Sequence, residues 1–418
     1  MPASIAAEAW PALLRPGMTV YAPGCGGQSA VLLAALAAAP ARAAGVTFTG
    51  VWIPGVNRFD FAGLDPAARS RLFFLAPEFR ESFARGRADY LPIPYSAIYP
   101  LLERTPIDLA LLQVSPPDEN GECSLGLAAD FTPAVMHRAA LRLAHVNPAM
   151  PHTAGAPKIA LAALDYIVDA TSPLLTYDTG GLGGAFEAIG RNIASLIEDG
   201  DTLQFGLGQV QGAVLRALAD KRNLRIHSGM ISDPVLDLID AGALLPVPGA
   251  ITTGVALGSA ALYERAARDP RFRFAPVSFT HDIATLRAIP DFVAINSTIE
   301  IDLLSQANAE MMGGRQLSGA GGLVDFLRGA RAAKNGRAIL ALQSTAKGGS
   351  VSRIVAQLDK GASVSIARGD VDIVVTEHGI ADLRGRGIDQ RAEALIAIAG
   401  PAFREELAAA WHAMRKTM

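Results

Sequence analysis

Gly17-Met18-Thr19-Val20, with Gln28 eleven residues after Gly17 and Ala30-Val31-Leu32 close behind, returns later in the chain. It comes back as Gly200-Asp201-Thr202-Leu203, with Gln211 eleven after Gly200 and then Ala213-Val214-Leu215. The offset is 183 residues, and it also carries Asp108-Leu-Ala-Leu-Leu-Gln113 onto Asp291-Phe-Val-Ala-Ile-Asn296. Two matches at one offset point to an internal duplication. Each copy opens as a short apolar run, a Gly-rich turn and an Ala/Leu-rich helical stretch. The runs Thr19–Pro23, Val46–Ile53, Leu109–Val114, Phe292–Ile295, Ala338–Leu342 and Ile373–Val375 read as buried strands, with helical segments such as Ser29–Ala39 between such runs. Short β-branched runs separated by helices indicate α/β layering on a mostly parallel sheet. The expected fold is therefore α/β, with two similar open domains. One spans 1–180 and the other 185–418, joined in the Gly-rich stretch Thr179–Gly184. The second is expected to carry most of the active site, and a cleft between such halves is a natural place for one.

Composition narrows the function classes. A chain of 418 residues exceeds one ordinary domain. Half of it is apolar and only 18% is charged, which favours a large core or an oligomer interface. Lys plus Arg number 37 against 40 Asp plus Glu, a net charge of −3 that excludes a strongly basic nucleic-acid binder. Cys25 and Cys123 lie in no CxxC pair and make no disulfide framework, so the chain reads as cytoplasmic. No secretory signal is visible in Met1–Pro16. The uncharged Ala241–Tyr263 holds Pro246 and Pro248 and is not read as a membrane span.

Several segments could carry chemistry. Gln204-Phe205-Gly206-Leu207-Gly208-Gln209 is a strand-to-helix turn whose glycines admit a ligand to the backbone. No acidic ribose-binding residue is evident about 20 residues on, which argues against a dinucleotide site. Ser318-Gly319-Ala320-Gly321-Gly322 reads either as a tight turn or as a backbone nest for an oxyanion. Ser344-Thr-Ala-Lys347 has the SxxK spacing of a serine acyl-enzyme without its partner elements. Lys347 reads instead as a phosphate contact or a surface lysine. His227 is a core histidine or a ligand; His137, His145 and His152 share no metal-binding spacing, and no metal is expected. Glu300, just past a strand end, is a functional acid or a salt-bridged carboxylate.

Taken together, the strings resemble the acetyl-CoA hydrolase/CoA-transferase family over nearly the whole chain. The resemblance rests on Gln113-Val-Ser-Pro-Pro-Asp-Glu-Asn-Gly121, His145-Val-Asn-Pro-Ala-Met-Pro151, Leu203-Gln-Phe-Gly-Leu-Gly208 and Ala294-Ile-Asn-Ser-Thr-Ile-Glu-Ile-Asp302. It continues through Gly314-Arg-Gln-Leu-Ser-Gly-Ala-Gly-Gly322, Ser352-Arg-Ile-Val355 and Val374-Val-Thr-Glu-His-Gly-Ile-Ala-Asp-Leu-Arg-Gly385. It implies two similar α/β halves, a coenzyme A ester and a small carboxylate as substrates, and a homodimer. It implies ping-pong transfer through a glutamyl-CoA thioester. It also implies a CoA and acyl region lined by Gln204, Gly206, Leu207, Gly208 and Gln209, with Ser318, Gly319 and Gly321 beside the thioester. Lys347 would touch CoA, and the Gly322 N–H would act as an oxyanion donor.

One position departs from that pattern. The family's nucleophilic glutamate falls 25 residues after the Gln of the Leu-Gln-x-Gly-x-Gly turn. Here that place is Gly229, in His227-Ser228-Gly229-Met230. A glycine forms no anhydride. Transfer could run through Glu300 or by direct attack of the acceptor acid, and the gap at Gly229 could admit a bulkier acyl group. Water entering that gap would give a hydrolase, with Glu300 or His227 as general base. The chain could also bind CoA esters without turnover.

Overall fold

The run after Gly17 forms the parallel strand Thr19–Tyr21, and Ser29 caps the helix Ala30–Ala38 by accepting from the Leu32 N–H at 3.1 Å. The computed structural model describes residues 1–178, 180 and 183–418. The expected joint Thr179–Gly184 thus falls partly outside the described residues, at Thr179, Gly181 and Leu182. The chain divides into two units. The first comprises Met1–Asp178, Val247–Thr280 and Leu317–Gly319; the second comprises Thr179–Pro246, His281–Gln316 and Ala320–Met418. This division groups 247–280 and 317–319 with residues 1–178.

The first unit is built on an eight-stranded parallel sheet. Its order is Ala3–Ser4, Tyr166–Asp169, Leu141–Val146, Leu109–Val114, Thr19–Tyr21, Thr47–Thr49, Arg69–Leu72 and Ala88–Tyr90. Leu109–Val114 is buried along its whole length, as a central parallel strand covered on both faces must be. Alternation splits it between two cores: Leu109 and Leu111 pack with Val20, Phe48 and Phe61, whereas Ala110, Leu112 and Val114 pack with Tyr21, Tyr95 and Phe131. The strand expected over Val46–Ile53 is shorter, Thr47–Thr49, because Gly50 brings the chain against the Ala22 carbonyl. Segment 247–280 joins this unit through main-chain bonds. The Ala129 N–H donates to Gly254 O at 2.9 Å, and the Ala256 N–H donates to Leu127 O at 3.0 Å.

The second unit repeats the central order. Arg225–Ile231, Thr202–Phe205, Phe292–Ser297, Arg337–Ala341 and Ile373–Thr376 follow one another in parallel, and Gly379–Asp382 closes the edge antiparallel. In each unit the strand after the repeated glycine lies between the strand that follows it and the strand that begins at the second repeated Asp. The 183-residue offset read from sequence is thus a topological repeat. Its core gathers Phe292, Ala294, Phe326, Leu340, Val374 and Trp411. The Arg337 guanidinium pairs with Asp201, itself 2% exposed, beneath this sheet. Ala241–Tyr263 contains the strand Ile251–Ala256. Among the described residues no helix is long and apolar enough to cross a membrane.

Candidate functional site

Three groups of second-unit residues hold the positions singled out above. The first is the turn after Thr202–Phe205. Gly206, Leu207 and Gly208 are half-buried, and Gly208 has φ of +118°, which a residue with a side chain rarely adopts. The helix Gln209–Arg216 follows at once. Gln204 faces inward, 2% exposed: its Oε1 accepts from Asn296 Nδ2 at 2.8 Å, tying two adjacent strands together. Gln211 Nε2 donates to Ser297 Oγ at 3.1 Å, tying the helix Gln209–Arg216 to the strand Phe292–Ser297.

The second group surrounds Gly229, within the strand Arg225–Ile231. Ser228 is buried and its hydroxyl donates to Phe205 O at 2.7 Å. His227 is 6% exposed and meets the Phe292 ring edge-on at 6.1 Å. A Cβ placed on Gly229 would stand 2.6 Å from Cε1 and 2.9 Å from Nε2 of His281. One placed on Gly322 would stand 2.7 Å from Cδ2 of the same ring and 3.1 Å from Phe326 Cε2. The imidazole lies tilted by 46° against the Phe326 ring, centroids 4.4 Å apart, and is 3% exposed. Burial, aided by the nearby His227, holds its pKa down at about 3, so His281 is neutral. A side chain at position 229 would therefore meet the His281 ring.

The third group lines a cavity of about 260 Å³ that brings Glu300 and Lys347 together with Arg353, Lys360 and Asp359. Three cations against two carboxylates leave the lining positive by one charge. Asn308 Nδ2 donates to Glu300 Oε1 at 2.8 Å, while its Oδ1 accepts from the Met311 N–H at 2.9 Å. Lys347 tips the hairpin of Thr345–Ala346 and Val351–Ser352 with φ of +50°, followed by Gly348 at +66° and Gly349 at +92°. A lysine held in that region is uncommon and fixes where its side chain leaves the hairpin.

The other positions have the following surroundings. The Ser344 hydroxyl donates to Glu377 Oε1 at 2.7 Å and its N–H to Oε2 at 2.8 Å. Gly319, with Ser318 half-buried before it, packs in the first unit; a Cβ there would stand 2.8 Å from Phe73 O. Gly321 has φ of +59°, and Gly322 precedes the helix Leu323–Ala332. Sequence reasoning missed His281, Asn308, Arg353 and Lys360. A lone histidine in Thr280-His281-Asp282 carries no spacing signal, whereas Arg353 and Lys360 could have been sought as basic residues downstream of Lys347. Among the described residues no three His, Cys, Asp or Glu side chains gather as a metal site.

Comparison with known proteins agrees with this architecture. The models of the N-terminal and C-terminal domains of acetyl-CoA hydrolase/transferase match residues 5–174 and 258–411. The 4-hydroxybutyrate coenzyme A transferase of Clostridium kluyveri is 42% identical over 360 residues, 84% of each chain. The succinyl-CoA:cyclohexane-1-carboxylate CoA transferase of Geobacter metallireducens is 37% identical over 84% of this chain and 82% of its own. The crystal structure of RipA from Yersinia pestis superposes with a TM-score of 0.92 at 29% identity, covering 99% of this chain and 98% of that one.

Proposed function

Since the chain belongs to the acetyl-CoA hydrolase/transferase family, we propose that it is a CoA-transferase, moving CoA from an acyl-CoA to a small carboxylic acid such as 4-hydroxybutyrate or acetate. The observation that supports this reading within the chain is the cavity holding Glu300 among Lys347, Arg353 and Lys360. The cations suit the phosphates of CoA, which carry several negative charges at neutral pH. Glu300 is the carboxylate available to take the place of the side chain that position 229 lacks. Its oxygen attacks the thioester carbonyl, the C–S bond breaks, and CoA leaves as thiolate with an acyl-glutamyl anhydride behind it. The thiolate then attacks the glutamyl carbonyl, the donor carboxylate leaves, and a glutamyl-CoA thioester remains. The acceptor carboxylate repeats the two steps in reverse, so that CoA ends on the acceptor and Glu300 is regenerated. The Asn308 hydrogen bond holds one Glu300 oxygen and orients the other.

The test is product analysis by mass spectrometry on a panel of acyl-CoAs with and without free acids. Acid-dependent formation of a new acyl-CoA is the expected result. Glu300→Gln should abolish it while CoA binding survives. Free CoA appearing without need of the acid would make the chain a hydrolase, and full activity in Glu300→Gln would remove that residue from the reaction.

A further inference from the structure

Three adjacent strands of the first unit begin beside one another at Thr47, Arg69 and Ala88, and Arg69, Arg71 and Arg87 lie at or near these starts. Thr47 pairs in register with Arg69, and Arg71 with Asp89; Arg87 precedes Ala88, the register partner of Ser70. Residues two apart on a strand share a face, so Arg69 and Arg71 project together, with Thr47 and Asp89 beside them. Parallel strands lie about 4.8 Å apart, which sets Arg69 and Arg87 side by side as like charges. Around these side chains is a cavity of about 350 Å³, lined by Thr47, Arg69, Arg71, Arg87 and Asp89.

The guanidiniums are not neutralised by their surroundings. Arg87 Nη1 donates to Asp65 O at 3.4 Å, and Arg69 Nη1 to Pro66 O at 3.0 Å and Ala68 O at 2.8 Å, all uncharged acceptors. Nε of Arg71 and Nε of Arg87 are both buried and have no hydrogen-bond partner. A buried N–H left unpaired is costly, more so when it carries charge, and both of these belong to arginines that line the cavity. Three arginines less one carboxylate leave two positive charges. A phosphate monoester carries about −1.5 to −2 at neutral pH. The volume exceeds that of a phosphate and leaves room for an organic substituent.

The location separates this place from the usual ligand crevice. Thr47, Arg69 and Ala88 are the first residues of their strands, so the cavity opens at the amino ends. Open α/β sheets ordinarily bind ligands at the carboxyl ends. We propose that this arginine-lined cavity is a binding site for a phosphate-class dianion, either free phosphate or the phosphate of a monoester, accepting hydrogen bonds from Arg71 and Arg87.

The full chain would be titrated with inorganic phosphate and with adenosine monophosphate, against sodium chloride of matched ionic strength, by calorimetry and thermal shift. Wild type should bind one equivalent and melt higher. Arg71→Gln/Arg87→Gln should weaken binding at least about tenfold, the loss expected on removing charge-assisted hydrogen bonds. Lys334→Gln, at an exposed residue that lines neither cavity, should bind as wild type does. Binding of the monophosphate alone would assign the site to an ester; binding of both would assign it to the phosphate group. No response beyond that to chloride, or unchanged affinity in the double variant, would overturn the proposal. Should the double variant fail to fold, Arg87→Gln alone must show the loss.

Discussion

Placing any side chain at position 229 sets it against His281, and the cost can be worked from the geometry. A Cβ there stands 2.6 Å from Cε1 and 2.9 Å from Nε2 of the imidazole. Ordinary carbon contacts begin near 3.4 Å, so the ring must withdraw by most of an ångström. It has little room to do so: on its other sides are Gly322, whose own Cβ position is 2.7 Å from Cδ2, and the Phe326 ring at 4.4 Å. Overpacking of this kind costs about 1–3 kcal/mol, and Gly229→Ala should lose about that much. Urea denaturation of four proteins measures it: wild type, Gly229→Ala, His281→Ala and the double variant. His281→Ala removes the obstacle, so the alanine at 229 should cost at least about 1 kcal/mol less in that background, as expected for residues in contact. Equal costs in both backgrounds, or a Gly229→Ala as stable as wild type, would refute the reasoning. The same logic bears on chemistry. Gly229→Glu alone should form no CoA adduct with an acyl-CoA, and only Gly229→Glu/His281→Ala should present a carboxylate there.

Stability should also respond to pH through the same ring. The unfolded histidine titrates near 6.5, whereas His281 in the fold titrates at about 3. The unfolded chain therefore takes up a proton between those values that the folded chain refuses. The stability is fully present above pH 6.5 and falls by up to about 1.4 kcal/mol per unit as pH drops toward 3. His145, also held down by burial, acts in the same direction, so urea midpoints at pH 7.5 and 5 should differ in wild type and differ less in His281→Asn. At the cationic cavity, Lys347→Ala or Arg353→Ala should raise KM for acyl-CoA about tenfold with a smaller change in kcat; an unchanged KM would place CoA elsewhere.

The duplicated sheet was legible because it rests on local periodicity and a constant offset, both visible in Gly17–Leu32 and Gly200–Leu215. The assignment of 247–280 to the first unit was not, because it depends on pairing Ala129 with Gly254 across 125 residues of chain. Glu300 and Lys347 were found one by one from their neighbours in sequence, but their meeting in one cavity needed the hairpin to close. Within one Gly-rich string, Gly319 is glycine because of Phe73, and Gly322 because of His281. Composition cannot tell these reasons apart. His281 left no trace at all, since its importance lies in two glycines that are far from it in the chain.

The three-piece makeup of the first unit has a consequence for how the protein is made. A ribosome releases the chain from its amino end, and the first unit is not fully present until Gly319 has emerged. Until Ala256 has emerged, Leu127 and Ala129 lack the main-chain partners that Ile251–Ala256 supplies. A nascent chain paused between 179 and 246, or a fragment cut there, would show that unpaired edge to other molecules, and such edges invite aggregation. Expression of residues 1–178 alone should give insoluble protein, and slow translation through the middle of the gene should lower the yield of the whole.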